Sequence, residues 1–383
     1  MARLGDLGKV ITGNTPKTTD AQNYSEKDIC FVKPSDILDG TVAHLHNSEF
    51  YISEYARTKA RILPPQCVLV TCIGIIGKVA INDIECAFNQ QINAIIPDKN
   101  QCSVEYLAYA IKSKQSAMQD IANAPVVPIL NKTQFCDIEI NLPSLADQKA
   151  MVDKMNALSK LISLRKRQLT KLDELVKSRF VELFGDPSSN PMRWKETTVG
   201  EECYYIKDGP HKSLPDVGEG NGYPFISVRN IVNGYIDFST AKYISEQDYL
   251  DSIKKCHPQK GDMLYSKGGT TGIAKLIDVD VEFANWVHVA VLKFDSTLNG
   301  VFFEHMLNSD YCYDQSQRLT KGIANRDLVL SAMAQIKMYK PPLELQAKFA
   351  AFVEQTDKSK LAVQQSLDKL ETLKKALMQE YFE

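Results

Sequence analysis

Asparagine and glutamine carry a donor and an acceptor side by side, a pairing that matches the major-groove edge of adenine. This sequence gathers four of them in Asn89-Gln90-Gln91-Ile92-Asn93. The same side chains could equally fix a turn and hold the fold. Later in the chain Asn285, Trp286 and His288 fall in a comparable context. There the Trp286 ring could lie on a base or sugar, or fill a core between Phe283 and Val287. Glycine-rich turns let backbone N–H groups approach phosphate. Two such turns surround Gly77 and Gly272, with Lys78 and Lys267 as adjacent cations. For Gly268-Gly269-Thr270-Thr271-Gly272 a tight hairpin turn is the alternative. A nucleotide-hydrolase phosphate loop is excluded there, since the Gly-Lys-Ser/Thr ending is missing.

Other residues have the right chemistry for DNA. Lys33 and Ser35 follow an expected strand end and are matched by Ser227, Arg229 and Asn230. Lys132, and later Lys321 with Asn325 and Arg326, sit in loops that could clamp a phosphate backbone.

Catalytic patterns are missing. An adenine methyltransferase needs Asn/Asp-Pro-Pro-aromatic, and the nearest approach, Asn123-Ala124-Pro125-Val126, lacks the second proline and the ring. Glu85, Asp98 and Asp137 are isolated, so no nuclease carboxylate cluster can be placed, and no catalytic residue is expected. His44 and His46 have no Cys or carboxylate at ligand spacing, so no metal is expected. The nine cysteines are scattered without a CxxC pair and read as reduced core thiols.

The elements that must position these side chains are duplicated. The 383 residues exceed one ordinary core. Arg3-Leu4-Gly5-Asp6 matches Thr198-Val199-Gly200-Glu201, and Phe31 to Gly40 lies on Phe225 to Gly234 at a shift of 194. Phe88-Asn89-Gln90-Gln91 answers Phe283-Ala284-Asn285-Trp286. Pro143 and Gln148 fall on Pro341 and Gln346 at a shift of 198, and Phe184 falls on Phe382. Short β-branched and aromatic runs with Pro, Gly and Asn punctuation make each globule α+β.

Each globule is followed by a long Leu-, Lys- and Gln-rich stretch without Gly or Pro. The first is closed by Gly185 and Pro187 and opened by a Ser144–Asp147 cap. Leu158, Ile162, Arg165, Leu169, Leu172 and Val176 form one apolar seam broken by an arginine; Val363, Leu367, Leu370, Leu373 and Leu377 form another. The expected order is a globule over 1–142, a helical spacer over 143–187, a globule over 188–340 and a second spacer over 341–383. The spacers should pair antiparallel, a helix of about thirty-eight residues being roughly 57 Å long at about 1.5 Å per residue.

The duplicated order resembles the specificity subunits of type I restriction-modification systems. The likeness rests on the Pro-x-x-x-x-Gln motifs at Pro143 and Pro341, on Thr71-Cys72-Ile73-Gly74-Ile75-Ile76-Gly77-Lys78 with its echo from Ser266, on Asn89 to Asn93, and on Asp208-Gly209-Pro210-His211. It implies two target-recognition globules, each reading half of a split, asymmetric double-stranded DNA sequence, with the helices as a ruler. His211 and Lys212 join the DNA-binding candidates. It also implies partners: two methyltransferase subunits that bind S-adenosylmethionine, and a restriction subunit that uses ATP and Mg. This chain itself would hold no cofactor.

The formal net charge of −2 sits uneasily with DNA, so contact must come from local patches. It leaves open a helical scaffold whose globules bind protein or small ligands. No apolar run suits a membrane span and the N-terminus has no leader pattern, so a cytoplasmic protein is expected.

Overall fold

The computed structural model describes residues 1–122, 127–323 and 325–382; Asn123-Ala124-Pro125-Val126 lies outside them. The chain divides into two compact units, Met1–Arg167 with Gln364–Glu383, and Gln168–Val363. Among the described residues no helix is long and apolar enough to cross a membrane.

In the first unit the strands Cys67–Thr71 and Ile92–Pro97 are almost wholly buried. They read as continuous apolar runs because both of their faces are covered. They lie inside a five-stranded sheet ordered Gly8–Thr12, Ile92–Pro97, Cys67–Thr71, Val79–Asn82, Val42–Leu45. Its last pair is parallel and the others antiparallel. A second sheet runs Phe50–Ile52, Ile29–Val32, Cys86–Phe88, Ile62–Leu63, with Ile29–Val32 and Cys86–Phe88 parallel.

The second unit repeats the plan with fewer strands. One sheet is ordered Cys203–Asp208, Val289–Phe294, Met263–Ser266, Ala274–Leu276. The other is Lys242–Ile244, Tyr223–Ile226, Ala284–Asn285, its last pair again parallel.

The repeat extends to individual hydrogen bonds. Leu4 N–H donates to Ile138 O as Val199 N–H does to Ile336 O; Gly77 donates to Thr71 O as Gly272 does to Ser266 O; Leu130 donates to Cys72 O as Leu328 does to Lys267 O. One pairing differs from the sequence alignment. Asn89 N–H donates to Val32 O, and the equivalent donor to Ile226 O is Trp286, not Ala284. The second copy has gained two residues between its Ala274–Leu276 and Ala284–Asn285 strands, a length change that side-chain similarity across Phe88 and Phe283 concealed.

The Pro-x-x-x-x-Gln motifs have a mechanical role. Gln148 and Gln346 are fully buried. Gln148 Oε1 accepts from Ser103 N–H at 2.9 Å and its Nε2 donates to Pro143 O at 3.0 Å. Gln346 does the same with Asn299 N–H at 2.8 Å and Pro341 O at 2.7 Å. Ser103 and Asn299 are the N-caps of helices Val104–Ser113 and Gly300–Leu307. The glutamine thus locks the start of a long helix to the start of a globule helix, satisfying polar groups that would otherwise be orphaned.

The long helices are Leu145–Phe184 and Leu343–Phe382. Ser144 Oγ donates to Asp147 at 2.6 Å and accepts its N–H at 3.2 Å, and Gly185 stops the first helix at φ +75°. Within each unit the two helix segments run antiparallel. In the first, Lys154 meets Tyr381 and Lys166 meets Glu371; in the second, Asp173 meets Lys360 and Phe180 meets Phe349. The seam of the second helix corrects the sequence reading at one place. Leu373 is 49% exposed and Lys374 is half-buried. Steps of four and three from Val363 through Leu367 and Leu370 reach 374 before 377, so the packed position falls on the lysine.

Each unit has its own core. Tyr106, Val152, Met155 and Phe382 close the first, with the Phe382 ring 5.3 Å from Tyr106. Phe180, Phe184, Phe302 and Phe349 close the second. Eight of the nine cysteines are buried and all are unpaired. Burial pushes the Cys67 and Cys72 thiols up to about 11.

Candidate nucleic-acid interface

In the first unit the glycine-rich turn is held by its own side chains. Thr71 Oγ1 donates to Ile75 O and accepts Lys78 N–H at 3.0 Å. Gly77 has φ +78°, and a Cβ there would meet Gln115 Cγ at 2.8 Å, so only glycine suits the position. The turn exposes Ile75 at its tip, while half-buried Lys78 donates to Pro34 O at 3.2 Å. Nearby, Asn89 and Gln91 bind each other, Asn89 Nδ2 donating to Gln91 Oε1 at 2.9 Å. Asn93 is buried and accepts from Thr12 Oγ1 at 2.6 Å. Gln90 is exposed and accepts from Thr15 Oγ1. Of the four amides, Gln90 and the half-buried Gln91 reach solvent. Lys33 places its ammonium 3.1 Å from the Phe50 ring centroid, while Ser35 and Lys132 are exposed.

The second unit brings more of its candidates together. Lys267 is 5% exposed and lies between Asp327 at 2.9 Å and Asp208 at 3.5 Å. This double pairing offsets the cost of burying its charge, and it ties three segments into one surface. His211 lies 3.9 Å from Asp208, with exposed Lys212 beside it. Gly269 N–H donates to Arg326 O, and Lys321 and Asp327 exchange backbone hydrogen bonds. Gly269, Thr270, Lys321, Asn325 and Arg326 are exposed around this junction. Gly268 is required by contact, since a Cβ would lie 2.4 Å from the His288 ring. Thr271, by contrast, is buried against Thr320 at 2.9 Å.

Asn230 and Asn285 are also buried. Asn230 Oδ1 accepts from Ser227 N–H and its Nδ2 donates to Asp237 O, so it caps a turn. Asn285 donates to Val289 O at 2.7 Å. Half-buried Trp286 packs against the Phe225 and Leu214 cluster and also lines a cavity of about 260 Å³ with Ser227, Arg229 and Lys242. Nothing in the local sequence around Lys242 or Leu214 marks either residue as part of this cavity. Asp208 was legible as part of a motif, but its role as a counter-ion depends on residues 59 and 119 positions later.

His44 and His46 both approach Asp83, at 3.0 and 3.3 Å. Among the described residues no group of three or more His, Cys, Asp or Glu is arranged to hold a metal ion.

Residues 1–174 and 191–372 each match the family model described as the type I restriction modification DNA specificity domain. The type I restriction enzyme MjaIX specificity subunit of Methanocaldococcus jannaschii is 24% identical over 396 aligned residues, covering 98% of this chain and 90% of that protein. The HindI specificity subunit of Haemophilus influenzae is 30% identical over 146 residues, 38% of this chain and 32% of that protein. Among solved structures, the type I restriction-modification S subunit from M. genitalium aligns with a TM-score of 0.60 at 15% identity, covering 100% of this chain and 95% of that one. A structure described in connection with complex assembly and conformational transition of the type I restriction-modification system aligns with a TM-score of 0.60 at 19% identity, covering 100% and 96%.

Proposed function

The chain belongs to the type I restriction modification DNA specificity family, and on that premise we propose that it is the DNA-reading subunit of a restriction-modification complex. The globules over 1–142 and 188–340 each read one half of a split, asymmetric target. The helices set the spacing and dock two adenine-methyltransferase subunits. S-adenosylmethionine, and ATP with Mg for cleavage, act on partner subunits in the cytoplasm, and this chain performs no chemistry itself.

One observation carries the reading. The two globules keep the same backbone hydrogen bonds around the glycine-rich turn and carry different side chains there: Ile73-Gly74-Ile75-Ile76 in one, Gly268-Gly269-Thr270-Thr271 in the other. A scaffold gains nothing from that divergence, whereas two readers of unlike half-sites require it. Lys33, Ser35, Lys78, Gln90, Gln91 and Lys132 in the first globule, and His211, Lys212, Ser227, Arg229, Thr270, Trp286, Lys321, Asn325 and Arg326 in the second, are the exposed or half-buried side chains that would meet DNA. Amides and arginine would discriminate bases, and lysines would neutralise phosphate.

Methylome sequencing of cells that express the chain with its methyltransferase partner tests the proposal. Adenine methylation at a two-part asymmetric sequence with an unspecified spacer is expected. Methylation confined to continuous palindromes would overturn it.

A further inference from the structure

The cavity in the second unit has a composition of its own. Its floor is apolar, built from Leu214 and Phe225, both 5% exposed, and from half-buried Trp286. Its remaining side-chain chemistry is cationic and hydroxylic, from Arg229, Lys242, Ser213 and Ser227. Arg229 is exposed and makes no ion pair among the described residues. Lys242 Nζ donates to Leu214 O. The nearby acid, Asp216, accepts from the backbone N–H of Gly218 and Tyr243, each at 3.1 Å, and these bonds together with the charges of Lys242 and Arg229 hold its carboxyl below the usual carboxylate range. The indole Nε1 of Trp286 is buried without a hydrogen-bond partner, an unusual state for a tryptophan N–H.

The first globule shows what has changed. Its sheet register puts Phe50 opposite Phe31, as Lys242 stands opposite Phe225. Counting along the matching segments, Lys33 corresponds to Ser227 and Ser35 to Arg229, and Asn89 takes the place of Trp286. There the lysine sits over the phenylalanine ring. In the second globule the partners are exchanged: the lysine has moved to the strand, a serine replaces it, and a tryptophan lines space that has opened.

We propose that this cavity binds a single unstacked nucleotide, the base against Trp286 and Phe225 and the phosphate at Arg229 and Lys242. Its volume of about 260 Å³ falls just below the roughly 300–1,000 Å³ of sites for drug-sized ligands, a size suited to one base rather than two. Stacking on an aromatic floor with cations at the rim is how proteins hold bases taken out of a helix. The same chemistry fits an extrahelical nucleotide of bound DNA and a free mononucleotide. In the first case the inference deepens the DNA-reading proposal; in the second it stands without it.

The test is tryptophan fluorescence of the full chain, titrated separately with the four deoxynucleoside monophosphates, inorganic phosphate and duplex DNA, with DNA binding followed independently by anisotropy. Quenching is expected that survives Trp194→Phe, disappears in Trp286→Phe, and needs roughly tenfold more ligand in Arg229→Ala or Lys242→Ala. Quenching by DNA at concentrations where mononucleotides are silent assigns the cavity to an extrahelical nucleotide. Quenching by a mononucleotide alone assigns it to a free nucleotide. Inorganic phosphate quenching as well as a mononucleotide does would remove the base from the proposal and overturn it. Bound DNA and saturating mononucleotides that both leave Trp286 emission unchanged would also overturn it. A chain that binds no DNA fails the DNA-reading proposal, while the mononucleotide arm still decides the cavity.

Discussion

The turn after Cys67–Thr71 and the turn after Met263–Ser266 are the same object built twice. In each, a hydroxyl, from Thr71 or Ser266, accepts the N–H seven residues ahead, and a glycine at φ +78° or +90° closes the loop. What hangs from them differs. The first turn carries Cys72 and an exposed Ile75, and the second carries Lys267 clamped between Asp208 and Asp327. The difference teaches where such a protein can vary. Backbone bonds and glycines fix the platform, and the exposed side chains at its tip, Ile75 and Thr270, are exchangeable because little of the core depends on them, whereas Cys72 and Ile76 beneath are buried in the first core.

The comparison is tested most severely where the copies should be equal. Phe184→Ala and Phe382→Ala each empty a buried aromatic position and should cost about 3–5 kcal/mol. Hydrogen exchange should show the first change loosening the second unit and the second loosening the first; both changes acting on one unit would break the equivalence. A smaller effect separates the copies. Lys267→Met leaves Asp208 without one of its cations and should cost about 2 kcal/mol, below the full penalty for a broken buried pair because Asp327 is 45% exposed. Cys72→Ala at the matching place should cost roughly 1 kcal/mol. Denaturant midpoints of the four single variants decide both comparisons.

The smallest effect depends on pH. Burial, aided by Lys360 and Lys275, pushes His305 down from 6.5 to about 4. The unfolded chain therefore takes up a proton below about pH 6.5 that the folded unit refuses until about pH 4, so stability falls with pH across that window. Tyr109 occupies the matching place in the first globule, as Ser103 and Asn299 align. His305→Tyr should abolish the His305 contribution. Relative to that variant, the wild type should lose on the order of 1 kcal/mol between pH 6 and 5. Glu304, raised by burial, acts in the opposite sense in both proteins. Melting curves that stay parallel across this window would remove His305 from the account.

Much of this architecture was legible in the sequence. The long helices announced themselves by forty residues without a breaker, and the duplication by the fixed spacing of Pro143, Gln148 and Phe184 with their partners. The seam was misread at Leu373 because leucine looks like a packed residue wherever it stands, and only the alternation of four and three points to Lys374. The candidate interface was legible as residue types and opaque as geometry. Asn89, Asn93, Asn230 and Asn285 have the chemistry of base readers but are buried. The cavity escaped notice because Lys242 and Trp286 meet through sheet register across loops whose lengths differ between the copies.

The place of Phe382 in the first core has a consequence for synthesis. Its carbonyl accepts a hydrogen bond from Ser113, 269 positions earlier, and its ring packs on Tyr106 and Tyr109. At roughly 5–20 residues per second, the globule translated first waits on the order of tens of seconds for its last aromatic. In that interval the second globule is made in full. The half translated first is thus completed last, and until then Tyr106 and its neighbours present an open apolar seat that a chaperone, or another nascent chain, can reach.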